Sequence, residues 1–559
     1  MQKIFRVMII IAMLITAYLL ILAWRDDYAD APAVDPVAET AVTVGNDIPS
    51  STSPSGDIPL ETLPTSNNTP SVLASTDAGL ITVTTDRYDI KINPEGGDIV
   101  YAALKQYNAT LDSEKPFVLL ENNSNRVYIA QTGLMGKNGI DTADGRASYR
   151  HTANNYVMEA GQQTLAVPLT YQKDGITVIK TFTFTHDKYP IDVSYQIQNT
   201  SAQPWQGQLF AQLKRDDSKD PGMSDKGALS MATYLGGAWG TPDDPYNKLK
   251  FKNFSDEISV SSDKGWVGIV QHYFVSAWTP KDFTGKFFSS ETGKDYYIGF
   301  RSQPVNIATN KQATLTATLY AGPKVQSELR DVAIGLNQTV DYGLLWPISK
   351  ILFALLDGIH KVLGNWGWSI IILTILVKIA LMWFSNKSYY SMAKMRALAP
   401  RLAALKEEHG DDRMRMSQEM MGIYKEEKVN PMAGCLPILM QMPIFLALYW
   451  VLVESVELRH APWVLWIHDL SAMDPWFILP LLMGASMFIQ QQLNPQPADP
   501  MQAKVMKFLP IIFTAFMLFF PAGLVLYWTV NNLFSMTQQY IVNKKVEEEQ
   551  KHRTVKVLD

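Results

Sequence analysis

The stretch that decides the fold is Trp366-Gly-Trp-Ser-Ile-Ile-Ile-Leu-Thr-Ile-Leu-Val-Lys-Ile-Ala-Leu-Met-Trp383, an eighteen-residue segment with one full charge, Lys378. An apolar run of this length predicts a helix that spans a membrane. A lysine inside such a helix costs roughly 2.5 to 3.5 kcal/mol at the bilayer centre, so it needs a polar partner or a water-filled cavity. Alternatively, Lys378 lies five residues from Trp383 and could extend its ammonium to the interface.

Four further apolar blocks without charge predict the other spans, and they are 7–24, 431–453, 475–490 and 508–543. The last block holds thirty-six residues, so one continuous helix would be about 54 Å long against a hydrocarbon core of roughly 30 Å. It must therefore fold back, and Pro521-Ala-Gly523 is the predicted turn. Together with 366–383, these blocks predict six spans.

Composition predicts the domains before the core. Residues 1–25 are predicted to be an uncleaved membrane anchor, because the apolar run exceeds a signal-peptide h-region of roughly 7 to 15 residues. Ala29-Asp-Ala31 resembles a cleavage site, so a signal peptide is the alternative. Residues 26–79 are rich in Pro, Ser, Thr, Asp and Ala, which predicts a flexible linker.

Residues 80–341 alternate apolar and polar side chains, as in 176–184 and 191–197, which predicts one large antiparallel β-sandwich. Lys173-Asp-Gly175 between two such runs predicts a hairpin. Three histidines in this domain, His151, His186 and His272, are far apart without metal-ligand spacing and are interpreted as structural. No catalytic residues, cofactor or metal site are predicted, although a sandwich could carry a cleft for sugar or peptide.

Residues 342–361 are predicted to form an amphipathic helix in the membrane interface. The helical stripe consists of Ile348, Ile351, Leu352, Leu355 and Ile359. A soluble helix packed on the sandwich is the alternative interpretation. Residues 362–543 are then predicted to be a five-span core that contains a charged helical hairpin, 385–430, and is followed by a basic tail, 544–559. The methionine-rich face of the hairpin suits a partner of variable shape, but a solvated face needs no partner.

Loop charges predict the orientation. The hairpin carries nine Lys or Arg and the tail five, whereas the loop 454–474 carries only Arg459. The positive-inside rule therefore puts both termini and the hairpin in the cytoplasm and the β domain outside. The net charge of -5 and its distribution do not suggest binding to nucleic acid, and one cysteine, Cys435, excludes an intrachain disulfide.

Polar residues from three spans fall at similar depths. These are Lys378 with Thr374 one turn away, Gln441, and Asn531. Neutral polar residues often act only as contacts between helices. A set that includes a cation favours a hydrated cavity that opens to the cytoplasm.

Several motifs make the chain resemble the YidC/Oxa/Alb family of membrane insertases. They are Asn365-Trp-Gly-Trp-Ser-Ile370, Ser391-Met-Ala-Lys-Met-Arg396, Lys428-Val-Asn-Pro431, Gly434-Cys-Leu-Pro437, Gln441-Met-Pro-Ile-Phe-Leu-Ala-Leu-Tyr449, Trp466-Ile-His-Asp-Leu470 and Pro521-Ala-Gly-Leu-Val-Leu-Tyr527. The resemblance covers essentially the whole chain and includes the periplasmic domain of Gram-negative members. It implies an inner-membrane protein that inserts and helps fold nascent membrane proteins, alone or with the Sec translocon. It also implies contact with lipid and with the ribosome through the cytoplasmic loops and tail.

The resemblance further implies a hydrophilic groove whose main charge is an arginine in the first core helix. Lys378 stands at that position, which keeps the charge but loses the planar fork that binds a carboxylate bidentately. By the same resemblance Thr374 and Gln441 line the groove. The client is expected to leave along an apolar slide of Met442, Pro443, Phe516 and Met517.

The sequence leaves two other classes of protein open. A small-solute transporter would be expected to show internal repeats, and none is visible between the core spans. An intramembrane hydrolase would need a nucleophile such as Ser486, but Met483-Gly-Ala-Ser-Met487 lacks the following glycine and no histidine lies within a core span. The chain also contains no GxxxxGK[ST] phosphate loop, so no nucleotide hydrolysis is predicted.

Overall fold

The structure is a computed structural model that describes residues 79–221, 233–256, 258–408, 413–427, 429–430, 436–494 and 500–558. The predicted anchor 1–25, nearly all of the predicted linker 26–79, the break within the hairpin and Cys435 lie outside these residues.

Two sheets form the β domain. Its strands are β1 Ile81–Thr84, β2 Tyr88–Asn93, β3 Asp98–Asn108, β4 Pro116–Asn123, β5 Arg126–Met135, β6 Arg150–His151, β7 Asn155–Val157, β8 Thr164–Lys173, β9 Ile176–Thr185, β10 Pro190–Asn199, β11 Trp205–Arg215, β12 Gly236–Gly240, β13 Asn247–Leu249, β14 Ser261–Ser262, β15 Trp266–Val270, β16 Phe274–Lys281, β17 Gly285–Thr292, β18 Asp295–Ser302, β19 Val305–Ile307 and β20 Lys311–Pro323. The 11-stranded sheet runs β14-β17-β18-β11-β5-β4-β3-β2-β1-β7, with β19 also paired to β11. The 9-stranded sheet runs β13-β12-β15-β16-β20-β10-β9-β8-β6.

The predicted hairpin is confirmed. Strands β8 and β9 pair antiparallel up to Lys173 and Ile176, and the two residues between them have φ of 49° at Asp174 and 78° at Gly175. Two positive φ values in a two-residue loop match the twist of antiparallel strands. The predicted antiparallel pairing holds for every described strand pair except one, at an edge where the short strand β7 pairs parallel with β1. A three-residue return strand carries too little pattern to reveal its direction.

A buried lysine joins the two sheets. The ammonium of Lys180 on β9 donates hydrogen bonds to the carbonyl oxygens of Gly96, Gly97 and Thr132, at 2.9, 2.7 and 3.0 Å. Burial lowers the pKa of Lys180 to about 7. Because an unpaired buried carbonyl is costly, this lysine has a structural role inside the sandwich.

Helices make up most of the described chain after residue 323. They are α1 Gln326–Val332, α2 Trp346–Leu363, α3 Trp366–Ala380, α4 Met382–Ala397, α5 Ala399–Glu408, α6 Arg413–Glu426, α7 Leu436–Glu454, α8 Ile478–Gln492, α9 Pro500–Met517 and α10 Ala522–Leu558. Helices α3 and α4 meet at Leu381 with a bend of 68°. The predicted turn at Pro521 separates α9 from α10.

The predicted count of six spans is not confirmed. By length and apolar composition, one continuous helix in the described part of the chain could cross a membrane, 343–363, and the bent pair α3 and α4 could form a second. The other described core helices are too short or too polar to be recognised as membrane spans by length and apolar composition. Helix α8 has 15 residues, and α10 changes from an apolar to a charged sequence along its length.

The helix predicted for the interface begins at Trp346 and packs against α3 and α7. Leu352 and Leu356 are buried on this side, whereas Ile351 and Leu355 of the predicted stripe are exposed. Ser349, which the stripe leaves out, is fully buried and donates to the carbonyl oxygen of Ala447 at 3.0 Å. The helix therefore packs against the core helices through one apolar face and presents a second apolar face outward.

The β domain contacts the helical region through charged and polar groups. Lys324, just after β20, lies 2.8 Å from Glu454 at the end of α7, and both side chains are almost fully buried. His272 Nε2 lies 2.8 Å from the carbonyl oxygen of Val453. Arg459 donates to the carbonyl oxygens of Asn108 and Ala109 at 2.7 and 3.1 Å. These contacts fix the end of α7 to the β domain.

Candidate functional site

A stripe of polar side chains along α10 organises the candidate site. Tyr527, Asn531 and Ser535 are spaced four residues apart, so they lie on one face of the helix and span about 12 Å. All three are buried. The helix therefore presents a continuous polar face to its neighbours, among which α3 and α4 are the closest to Ser535.

Lys378 reaches this stripe from α3. It lies in the last turn of that helix, just before the bend at Leu381, and its side chain is 5% exposed. Its Nζ donates to Ser535 Oγ at 2.8 Å, and that hydroxyl donates in turn to the carbonyl oxygen of Asn531 at 2.7 Å. Within the described residues, no carboxylate forms an ion pair with Lys378. The site thus holds a buried cation whose polar partner is neutral.

The other predicted groove residues surround the same stripe. Gln441 on α7 donates from Nε2 to the hydroxyl of Tyr527, one turn from Asn531. Thr374 is buried one turn before Lys378, but its hydroxyl donates to its own helix at Ile370. The Oδ1 of Asn531 is buried and has no hydrogen-bond partner among the described residues. The structure therefore brings Lys378, Gln441 and Asn531 to one helix face, with Thr374 beside Lys378.

Sequence reasoning missed several polar groups that extend the stripe. Gln538 donates to the carbonyl of Met382, directly after the bend, and to Asn386 at 2.8 Å. On the other side of α10, Asn532 donates to Ser486 and Gln539 donates to Asn494. The available signal was the density of amides and hydroxyls in 531–539, a segment without charge. These contacts fix α10 between the α3–α4 bend and α8.

The predicted slide residues divide between surface and interior. Met442 is 53% exposed, Phe516 is 41% exposed and Pro443 is also exposed, whereas Met517 is buried at 1%. Proline has no N–H, so Pro443 cannot satisfy the carbonyl of Leu439 in the usual helical way. Met442 and Pro443 thus present an exposed apolar surface directly after Gln441, whose side chain contacts the polar stripe.

Aromatic rings hold this surface together. Phe445 of α7 and Phe513 of α9 both contact Trp528 of α10, with ring centroids 4.7 and 4.8 Å apart. Phe516 of α9 contacts Phe513 and also Phe520, with a centroid distance of 4.7 Å to Phe520. Such pairs add roughly 0.5 to 1.5 kcal/mol each beyond the area they bury. They fix the spacing of α7, α9 and α10 around the polar stripe.

Ser486, the nucleophile considered for a hydrolase, is paired within the helical core. Ser486 is 5% exposed, donates to the carbonyl oxygen of Met483 and accepts from Asn532, so its hydroxyl is already paired. In the part of the chain that the structure describes, no group of three or more potential metal-ligating side chains occurs. The arrangement can hold a polar or acidic group, but it has no activated nucleophile at Ser486.

A large β-sandwich followed by apolar helices that enclose a buried cation and a polar stripe is the architecture expected of a membrane protein with a large extramembrane domain. Comparisons with known proteins agree with this class. Residues 80–355 match the family model described as the YidC periplasmic domain, and residues 358–550 match the model described as 60Kd inner membrane protein.

Relatives match almost the whole chain. Membrane protein insertases YidC of Stutzerimonas stutzeri and Azotobacter vinelandii are each 49% identical, over 97% of this chain and 98% of their own length. A crystal structure of an active YidC insertase covers 83% of this chain and 92% of its own, with 17% sequence identity and a TM-score of 0.37. The chain belongs to the YidC family of membrane protein insertases.

Proposed function

We propose that this chain inserts nascent membrane proteins into the inner membrane and helps them fold, using the polar stripe of α10 and Lys378 as a hydrophilic groove. The observation that carries this proposal is the buried ammonium of Lys378, whose hydrogen-bond partner is the neutral Ser535. A buried cation without a counter-charge is costly in an apolar medium. It is useful if an acidic or polar segment of a client enters and compensates it.

The groove mechanism has two parts. First, the polar face of α10 gives a client's short hydrophilic tail hydrogen-bonding partners, which lowers the cost of its passage through the apolar layer. Second, the client's apolar segment moves into lipid along the exposed surface of Met442, Pro443 and Phe516, with Met517 behind it. Transfer of apolar area from water supplies roughly 25 cal/mol per Å², so no nucleotide hydrolysis is required.

Topology follows from charge. We assign six spans, with both termini, the hairpin 385–430 and the tail 544–559 in the cytoplasm and the β domain in the periplasm. The nine Lys or Arg of the hairpin and the five of the tail support this orientation. In the described part of the hairpin, Arg401 pairs with Glu426 and Glu427 across its two arms, at 3.2 and 3.7 Å. The hairpin therefore presents a defined charged surface.

The proposed partners follow from this orientation. Nascent membrane proteins are the clients, lipid surrounds the helices, and the chain acts alone or with the Sec translocon. The ribosome is proposed to contact the hairpin and the basic tail, because the proposed orientation places both in the cytoplasm, where the nascent chain emerges.

Photo-crosslinking of a stalled nascent chain tests the proposal. A photoreactive residue at Gln441, Met442 or Phe516 is expected to capture the client's membrane segment. Leu482 on α8 is a matched control because it is also apolar and exposed, at 53%, but α8 carries none of the predicted slide residues. Equal capture from Leu482 and from Gln441, Met442 and Phe516 would contradict a defined path along the groove and the slide.

A further inference from the structure

The loop between α7 and α8 is held firmly on several sides. Asn365, at the start of α3, donates to the carbonyl oxygens of Pro462 and Trp463, at 3.2 and 3.4 Å. A Cβ added at Gly367 would lie 2.1 Å from Trp463, so the indole packs directly on the backbone of α3. The first backbone N–H groups of α10 are also satisfied here, because Ala522 and Gly523 donate to the carbonyls of 472 and 470 at 2.7 and 2.9 Å.

A loop held in this way nevertheless exposes large apolar side chains. Leu465, Trp476 and Phe477 are 78%, 64% and 43% exposed. Together with Trp466 they form what we call the loop aromatic patch. Leu465 and Phe477 have positive φ values, 55° and 57°, which residues other than glycine rarely adopt. Strained residues of this kind persist only where the surrounding structure enforces them.

The buried carboxylate of Asp474 holds the loop aromatic patch in place by hydrogen bonds. Asp474 is 1% exposed, and its Oδ1 accepts hydrogen bonds from the indole N–H of Trp466 and from the backbone N–H of Trp476, both at 3.0 Å. Its Oδ2 accepts from the backbone N–H of Leu479 in the first turn of α8 at 2.7 Å. The indoles of Trp466 and Trp476 then stack with centroids 5.9 Å apart. Asp474 thus fixes the patch to the start of α8.

The patch continues the exposed apolar face of α8. Leu481, Leu482, Phe488 and Ile489 are 60%, 53%, 46% and 50% exposed, and Phe477 lies one turn before Leu481. Between 460 and 477 the only carboxylates are Asp474, which is buried, and Asp469, whose Oδ1 accepts from the N–H groups of 460 and 471. Both carboxylates of this segment are therefore engaged in hydrogen bonds within the loop.

We infer that the loop aromatic patch lies in the lipid interface at the end of the helical bundle and fixes the depth of α8 in the membrane. Indoles are amphipathic and prefer the level of the lipid headgroups, and Leu465 at the tip of the patch reaches the acyl region. Continuity with the exposed face of α8 points to lipid rather than to a partner protein. The inference rests on the proposed function and topology, which make α8 a membrane span and determine the leaflet that the patch contacts.

Spin-label accessibility tests this inference on the full-length protein in phosphatidylethanolamine and phosphatidylglycerol vesicles. A nitroxide is attached to Leu465→Cys or Trp476→Cys in a Cys435→Ser background, and collisions with oxygen and with a water-soluble nickel chelate are compared. Lys173→Cys, at the exposed tip of the β8–β9 hairpin, is the aqueous control. We expect oxygen to dominate at 465 and 476 and nickel to dominate at 173, with the ratio of the two accessibilities differing at least fivefold.

Two results would overturn the inference. Nickel accessibility at 465 equal to that at 173 would mean that the patch faces water. Shielding of 465 from both reagents would mean that a second copy of the chain covers it. Client insertion by the same Cys435→Ser protein is measured separately, so a failed lipid contact is distinguishable from a failed insertase function. Asp474→Ala is then expected to increase label mobility at 465, because it releases Trp466.

Discussion

Lys378 Nζ lies 2.8 Å from Ser535 Oγ, and this contact joins the last turn of α3 to the polar stripe of α10. The Ser535 hydroxyl donates in turn to the carbonyl oxygen of Asn531, so the three residues form one hydrogen-bonded chain. The serine therefore fixes the direction of the only cation that we assign to the groove.

Ser535→Ala is expected to reduce insertion several-fold while the protein remains folded. The substitution removes the acceptor of the ammonium and leaves it free to turn away, and a hydrogen bond to a charged group is worth about 1.5 to 3 kcal/mol. Insertion of a single-span client into vesicles measures the effect. Thr537→Ala is the matched control, since its exposed hydroxyl bonds only to its own helix. Equal insertion by both variants would argue against a role for Ser535.

Glu454→Ala is expected to destabilise the junction between the β domain and α7. The change leaves the Lys324 ammonium buried without its counter-charge, which costs roughly 3 to 5 kcal/mol. The double variant Lys324→Met with Glu454→Leu should regain most of that stability, because both charges are removed. Thermal unfolding in detergent measures both. The exposed pair of Lys281 and Asp192 is the control, and Lys281→Ala should cost only about 0 to 1 kcal/mol.

The junction should also weaken in acid through His272. Burial, with help from Lys324 and Arg459, lowers the pKa of His272 from 6.5 to about 3. The folded state therefore keeps His272 neutral, while the unfolded state binds a proton below pH 6.5, so stability falls as the pH drops from 6.5 toward 3. Unfolding temperatures at pH 7.5 and 5.5 test this. His272→Gln, which can still donate to Val453, should show a smaller loss, and an unchanged loss would contradict the assignment.

Cysteine reporters test the proposed topology. Reporters near Gly410 and His552 should react only with reagents on the cytoplasmic side, because the basic hairpin and tail are retained there. Reporters near Ser50, Asp174 and Ser471 should react only from outside. External labelling near Gly410 would overturn the six-span assignment.

Local patterns predicted the local structure well. Period-two alternation gave strands such as β9 and β10, and the Asp174-Gly175 pair gave its hairpin. Polar residues in apolar blocks led to Lys378, Gln441 and Asn531, which the structure brings to one helix face. These signals lie within a few residues along the chain, where spacing alone determines which side chains share a face.

Contacts between distant segments could not be predicted. Lys324 and Glu454 are 130 residues apart, and no pattern in either segment reveals the other. The parallel pairing of β7 with β1 is equally non-local. Ser535 was missed because a serine within a membrane helix most often bonds to its own backbone, as it also does here. Its hydrogen bond with Lys378 depends on where α3 packs against α10, which the sequence does not reveal.

Lys378→Arg should keep insertion close to the wild-type level, because charge and reach are retained and only the hydrogen-bond geometry changes. Lys378→Leu removes the cost of a buried cation, so the protein should be at least as stable and as abundant. The groove would lose its charge and its attraction for acidic segments. Lys507→Leu, at an exposed position on α9, controls for the loss of a positive charge elsewhere.

The most direct measurement compares two clients, one with an acidic and one with a neutral translocated tail, for insertion into vesicles that contain each variant at equal amounts. The account predicts that Lys378→Leu loses insertion of the acidic-tailed client by about tenfold, which corresponds to about 1.4 kcal/mol, and of the neutral-tailed client by much less. Wild-type insertion of both clients by Lys378→Leu would show that the lysine merely extends to the interface, and would contradict the groove.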